Sequence, residues 1–413
     1  MIRILAVSYW FPPAESSQAI QVGRLVRHWP AEAVMVCAGA HPGRTTSGSL
    51  NVRTVSHTPP KNDWKFRLAR YLWPYYATVP DEYLSWRLPA LAAIETTLSD
   101  PSFFPDVVVT FGEPMTDHLL GVEIKSRWGL PWVAHFSDPW VDCSYRRPFW
   151  LSRSRNVVLE KKVFKKVDGV VFTSEETRGM YLDRYPSFDS RRTVVVPHSF
   201  EPGPATPTKA PAAPLVLRFV GRFFGHRQPY DLARAVKKLL RENPQILNNV
   251  TIELVGHLSR IRRAHPALLG LPPSLWRWRP LVTYARSLEL MADSDLLVLI
   301  DGKEPWNVFF PGKLADYIGA GKPIFALTPP GTSARIVGRL GGVVADPHDP
   351  RATVRGLSTA LVLAREWRQQ NGAPWGSSEE RKKYEAVSNG RRMVRLLERM
   401  VSQKTFEWEG GLL

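Results

Sequence analysis

Residues 215–255 decide the architecture. Leu215-Val216-Leu217-Arg218-Phe219-Val220-Gly221-Arg222 is a short apolar run that stops at a glycine. Apolar side chains then recur at Leu232, Ala235, Val236, Leu239 and Leu240, and 250–255 is a second strand-length run rich in β-branched and apolar residues. Spacings of three and four put the middle set on one helix face, while the flanking runs have the length of buried strands. Strand, helix and strand in that order predict a parallel pair joined by a right-handed crossover. The alternation extends outward in both directions. Strand-like runs occupy 3–8, 33–37, 107–110, 132–135, 169–173 and 193–196 before this unit, and 296–300, 323–327 and 342–345 after it. The predicted class is α/β.

At roughly 150 residues per domain, 413 residues make two or three domains. The stretch 201–214, with five prolines and little apolar content, continues neither a helix nor a central strand and reads as a semi-extended linker. The expected division is 1–200, a linker at 201–214, a second domain at 215–377, and a helix and tail at 378–413 returning toward the first domain. That tail is expected to be helical over 378–401 and to end in a flexible Glu409-Gly410-Gly411. A ligand is expected between the halves, beyond the carboxyl ends of their strands.

Lys and Arg total 55 against 38 Asp and Glu, a formal charge of +17 that suits a polyanionic partner: nucleic acid, an anionic membrane or a phosphorylated ligand. Two cysteines, Cys37 and Cys143, supply neither a disulfide framework nor a four-ligand zinc site, and the apolar run around Cys37 makes it a buried structural thiol. No apolar run approaches the ~18 residues that span a bilayer, and the start does not read as a signal peptide. The expected location is the cytoplasm, with any membrane contact peripheral.

Five segments fall in order along this framework: Tyr9-Trp10-Phe11-Pro12-Pro13, the run 131–140 containing His135 and Asp138, the run 219–229 containing Arg222 and Arg227, the run 284–297, and Phe310-Pro311-Gly312-Lys313-Leu314-Ala315-Asp316-Tyr317. Together, over residues 1 to about 345, they resemble the GT-B glycosyltransferases of family 4. The resemblance implies two Rossmann-like domains facing across a cleft, a nucleotide-sugar donor, no metal and no other cofactor, and retention at the anomeric carbon.

Breaking a sugar–diphosphate bond leaves negative charge on the departing phosphate, so fixed cations are needed there. Arg222 and Arg227 occupy the place of the family's diphosphate-gripping pair, and forked guanidinium donors suit phosphate oxygens. Lys313 stands where a loop enters a helix, a position that already favours anions. Asp316 takes the place of a glutamate that holds ribose hydroxyls. Eight residues before it, where many relatives carry a further glutamate, this chain has Val308, with Glu304 nearby but out of register. Ser16 and Ser17 lie where relatives often have glycines whose amides approach the diphosphate. For Arg222, Arg227 and Lys313 the plainer alternative is a solvated cation.

On the acceptor side, His135 and Asp138 follow a strand of the first half. The resemblance implies contact with the donor sugar or the reacting centre, the alternatives being a satisfied strand-end histidine and a turn-forming aspartate before Pro139. Asp293-Ser294-Asp295 is a literal D-x-D, but its place between a helix and a buried strand predicts a structural role and no metal. Two basic and aromatic stretches, 61–76 and 146–166, suit an anionic lipid surface. No nucleic-acid-binding signature is found, so no nucleic-acid partner is expected. The expected function is transfer of a sugar from a nucleotide diphosphate to a glycan or lipid-linked acceptor, in cell-surface polysaccharide or glycoconjugate synthesis. Alternatives are a nucleotide-sugar epimerase or phosphorylase on the same plan, or a non-catalytic scaffold in a polysaccharide assembly complex.

Overall fold

Two parallel sheets, each flanked by helices, organise the chain in a computed structural model that describes residues 1–58, 64, 68, 79–145, 150–203, 213–223, 225, 227–370 and 374–410, the last eight for backbone only. The contacts divide it into two bodies. Met1–Pro197 with Ala386–Leu413 form the first, and His198–Glu385 the second.

The first body is built on eight strands: β1 (Arg3–Ser8), β2 (Glu32–Gly39), β3 (Gly43–Ser47), β4 (Leu50–Ser56), β5 (Val107–Gly112), β6 (Trp132–Phe136), β7 (Gly169–Phe172) and β8 (Thr193–Val195). Their order across the sheet is β3-β4-β2-β1-β5-β6-β7-β8, and only the β3–β4 pair is antiparallel. Because side chains alternate along a strand, each central strand feeds two cores. Leu5, Val7, Val108 and Ala134 pack on one face with Trp86, Ile94 and Phe172. Ile4, Ala6, Val107 and Val133 pack on the other, where Met393, Leu396 and Leu397 of the C-terminal helix Ala386–Gly410 close the layer. Each such buried aliphatic or aromatic side chain contributes about 1.5–3 kcal/mol.

The second body has β9 (Leu215–Val220), β10 (Val250–Val255), β11 (Trp276–Arg279), β12 (Leu296–Ile300), β13 (Ile324–Leu327) and β14 (Val343–Ala345) in the order β11-β10-β9-β12-β13-β14, all parallel. Both sheets reverse direction of strand order beside their first strand, β1 and β9, which leaves a crevice at the carboxyl ends.

Some expectations change. β3, β4 and β11 join the eleven strands read from sequence. β3 is exposed along its whole length, and β11 alternates Trp and Arg, so neither shows the apolar run of a central strand. The single helix expected over 378–401 is two, Ser378–Lys382 and Ala386–Gly410. Between them Glu385 bridges to Phe200, whose N–H donates to the Tyr384 carbonyl at 2.9 Å. The bodies therefore divide at 197/198 and 385/386, and Ser378–Lys382 packs with the second. Residues 204–212 of the linker, and Gly411, lie outside the described residues.

Candidate functional site

In the first body, the loops after β1, β5 and β6 are tied together by side chains. Ser16, in extended backbone, caps the helix Ser17–Arg27 by accepting from the Ala19 N–H at 3.1 Å. Ser17 is exposed at the first helical position. Gln18 donates to the Gly112 carbonyl at 3.1 Å and accepts from the Ser137 hydroxyl at 2.8 Å. The Ser16 hydroxyl is thus occupied in building the helix start, and the backbone there, not the side chain, is what it offers a ligand.

His135 lies within β6, in register with Phe111 of β5 and Val171 of β7, and is 4% exposed. Its ring sits 5.1 Å from the Phe111 ring, and its Nδ1 is buried without a hydrogen-bond partner. Burial pushes its pKa down to about 4. A second histidine, His118 of the helix Thr116–Trp128, shares a 2.9 Å hydrogen bond between Nδ1 and the Thr110 hydroxyl, while its Nε2 is buried without a partner. Burial, and then the neighbouring His135, push it down to about 3. Both imidazoles are neutral at pH 7. Gly112 makes room for this arrangement, since a Cβ there would come within 2.6 Å of His118 Nε2. Asp138, half-buried just beyond β6, accepts from the Tyr145 hydroxyl, and burial together with that carboxylate raises the Tyr145 phenol well above its usual value.

In the second body, the ends of β9 and β12 meet the start of the helix Gly312–Ala320. That helix has no side-chain cap at Pro311 and no acidic residue in its first turn, so its free N–H groups and dipole favour an anion. Lys313 places its ammonium over the Phe219 ring, 4.1 Å from the centroid. Gly221, at φ +138°, allows this approach, because a Cβ would lie 2.8 Å from the ammonium. Arg222 follows, exposed, and Arg227 is half-buried five residues on. Burial and then the Arg227 charge lower the Lys313 pKa to about 7, against the opposite pull of Asp301. Asp316, one turn into the helix and buried, accepts from the Tyr284 hydroxyl at 2.9 Å.

Asp301, immediately after β12, was not singled out from sequence. It is 3% exposed; its Oδ2 accepts from Asn307 Nδ2 at 2.8 Å and from the Thr328 hydroxyl at 2.9 Å, while its Oδ1 is buried without a partner. Asn307 pins the loop 301–310: its N–H donates to the Pro330 carbonyl at 2.8 Å, and its carbonyl accepts from the Thr332 N–H at 2.7 Å. The available signal was an aspartate ending a wholly apolar strand. Val308 is half-buried, and its carbonyl accepts from the Thr332 hydroxyl at 3.0 Å. Glu304 turns back on Gly302, where a Cβ would meet its carboxylate at 2.1 Å.

The D-x-D carboxylates hold the sheet together. Asp293 accepts from Arg218 at 2.9 Å; Asp295 accepts from the Val216 N–H at 2.7 Å and pairs with Arg368. Among the described residues, no group of three His, Cys, Asp or Glu side chains could hold a metal ion. Of the stretch 61–76 only Trp64 and Leu68 are described, both exposed. Arg146 and Arg147 also lie outside the described residues. The helix Trp150–Lys166 exposes Trp150, Leu151 and Val158 beside Lys161, Lys162 and Lys165.

Residues 18–199 match the family described as "Glycosyl transferase 4-like domain". The chain is 25% identical over 260 residues to the D-inositol 3-phosphate glycosyltransferase of Salinispora arenicola, covering 57% of each chain. It is 26% identical to the enzyme of that name from Kineococcus radiotolerans, covering 54% of this chain and 58% of the relative. The chain thus spans a little over half the length of these curated relatives. Among solved structures it is similar to sucrose-phosphate synthase from Thermosynechococcus elongatus, at TM-score 0.68 and 14% identity over 98% of this chain and 100% of that one. It is similar also to the Anabaena HepE protein in complex with UDP and glucose, at TM-score 0.62 and 13% identity over 96% of this chain and 100% of that one. The chain has the GT-B fold of these solved structures, and its residues 18–199 match a glycosyl transferase 4-like domain.

Proposed function

We propose that the protein transfers a sugar from a nucleotide-diphosphate donor to a glycan or lipid-linked acceptor, with retention at the anomeric carbon and without a metal, in the synthesis of a cell-surface polysaccharide or glycoconjugate. The observation that carries the reading is Lys313 at an uncapped helix N-terminus with the Arg227 charge acting on it, Arg222 standing just after β9 in the sequence. Fixed cations there stabilise the departing diphosphate, where charge accumulates as the glycosidic bond breaks. Ser17 and Gln18 offer a second set of helix-start N–H groups in the first body. Asp316, a carboxylate that already accepts from the Tyr284 hydroxyl, is suited by its chemistry to accept ribose hydroxyls. With Val308 in place of a carboxylate, the pinned loop 301–310 offers backbone groups to the sugar. His135, neutral, is suited to hydrogen-bond the sugar, and Asp138 to orient the acceptor hydroxyl. UDP in the HepE complex makes uridine diphosphate the first donor base to try.

No helix among the described residues is long and apolar enough to cross a membrane. We propose peripheral contact with an anionic leaflet through the helix Trp150–Lys166, whose lysines contribute about 1 kcal/mol each near such a surface.

A thermal-shift panel of UDP, GDP, ADP and dTDP in EDTA tests the donor site. One diphosphate at ~100 times its dissociation constant adds about 2.7 kcal/mol to stability, and Lys313→Ala and Arg227→Ala abolish the shift. Stabilisation that appears only with Mg²⁺ would contradict the metal-free reading. No shift with any diphosphate would favour the scaffold alternative.

A further inference from the structure

Between Glu253 and Glu289 the chain runs 35 residues with six arginines and no lysine, aspartate or glutamate. The run leaves β10, forms the short helix Arg260–Arg263 and returns as β11, which pairs with β10 alone and so edges the second sheet. Both bounding carboxylates are taken: Glu253 accepts from Arg218 and Arg279, and Glu289 from Arg286. Asp231, beside the Tyr230 that packs on this run, is held by Arg234 at 2.6 Å and Lys303 at 2.9 Å. Arg260, Arg262 and Arg277 are exposed, and among the described residues their side chains make no hydrogen bond or ion pair.

The run is anchored to the body behind it. Tyr230 stacks on His265 at 3.8 Å, Lys237 Nζ donates to the Pro266 carbonyl at 2.8 Å, and Ala267, Leu268 and Trp276 are buried. Arg263 donates to the Leu258 carbonyl at 3.0 Å and lies over the Trp278 ring, 5.0 Å from its centroid, which ties the short helix to β11. On this fixed backing Ile261 is 87% exposed between Arg260 and Arg262, and Leu269 is exposed further along.

Uncompensated arginines around an exposed aliphatic side chain suit an anionic partner that also offers an apolar contact. The composition separates the candidates. Arginine and tryptophan without lysine, aspartate or glutamate is the pattern found at the centre of protein interfaces. A planar guanidinium also meets a carboxylate through two parallel hydrogen bonds, where an ammonium supplies only a point charge. A single-stranded nucleic acid would stack on open aromatic faces, but Trp276 is buried and Trp278 carries Arg263 over its ring.

We infer that the Arg260–Arg263 helix is a docking surface for a protein partner presenting a carboxylate-rich segment with an aliphatic residue. Its carboxylates meet Arg260 and Arg262, its aliphatic side chain meets Ile261, and Arg277 extends the surface along the edge strand. The inference does not depend on the transferase reading.

Fluorescence anisotropy on the full chain tests it, with a labelled peptide of Glu-Glu-Leu repeats as probe and its Lys-Lys-Leu counterpart as control. The acidic peptide is expected to bind and the basic one not to. Affinity falls about tenfold in the triple variant Arg260→Ala, Arg262→Ala, Arg277→Ala. It falls about threefold in Ile261→Ser. These side chains are exposed, so an unchanged Tm is expected in both. Removing the same charge from the exposed Arg391, Arg395 and Arg399 of the C-terminal helix, each to Ala, leaves the affinity unchanged, as does saturating UDP. The proposal is overturned by no binding of the acidic peptide, by equal binding of the basic one, or by an affinity that the first triple variant keeps or the second loses equally. Displacement by UDP would return these arginines to the donor site. Arginine-dependent binding to phosphatidylserine vesicles or duplex DNA, without binding to the acidic peptide, would reassign the surface to lipid or nucleic acid and overturn it too.

Discussion

Lys313 shows how a side chain can be costly to fold and useful once an anion arrives. Its pKa is lowered to about 7, so in the free protein it is largely neutral above that pH. A bound diphosphate restores the proton, and each pH unit above 7 should therefore weaken diphosphate binding by up to about tenfold until the bound-state pKa is reached. Calorimetry between pH 6.5 and 9 checks this, and a flat profile would deny the lysine a phosphate contact. For stability the sign is opposite. Between about 7 and the ordinary lysine value the unfolded chain binds the extra proton, so stability rises with pH across that window, and the cost is fully present below it. Lys313→Met should consequently stabilise the protein by about 0.5–2 kcal/mol at pH 6, with less gain at pH 9, measured by denaturant unfolding. His135 and His118 behave differently: with pKa values near 4 and 3 both should remain neutral in NMR titrations down to pH 5.5. Asp301 was not legible as a site residue, because sequence shows an aspartate after a strand but not which carboxylate oxygen the fold leaves unpaired.

Strand ends and helix starts carry the functional side chains, and glycines decide how closely they approach. Gly221→Ala would force a Cβ against the Lys313 ammonium at a φ of +138°. The expected outcome is a loss of about 1–3 kcal/mol in stability, together with weakened diphosphate binding. A substitution that left both unchanged would show that Lys313 does not depend on this close contact. At this scale the sequence was largely readable. β9, β10 and β12 match the predicted strand runs residue for residue, since strands buried on both faces are mostly apolar, with Arg218 interrupting β9 and Thr251 and Glu253 interrupting β10. Exposed β3 and the Trp-Arg alternation of edge strand β11 lack that signature. The break at 383–385 was equally hidden, because it is held by the bridge to Phe200, a contact 185 residues away.

Across the molecule, the net charge of +17 includes two groups of cations singled out by the sequence. Arg227 and Lys313 lie by the carboxyl end of β9, which Arg222 follows in sequence, while Lys161, Lys162 and Lys165 line a helix of the first body beside exposed Trp150 and Val158. Replacing these three lysines with Glu should abolish co-sedimentation with vesicles containing phosphatidylserine and leave UDP binding intact. Equal binding to neutral vesicles would argue against an electrostatic surface. The two-domain α/β plan was legible because each half repeats a strand–helix alternation on its own. The extent of each body was less so, for contacts late in the chain assign Ala386–Leu413 to the first. The most direct test of the account is release of nucleoside diphosphate from UDP-glucose, GDP-mannose and related donors in EDTA, with and without added pyranosides. Acceptor-stimulated release from one donor, lost in Arg227→Ala and Lys313→Ala, is the predicted result. Undiminished release in both variants would contradict it.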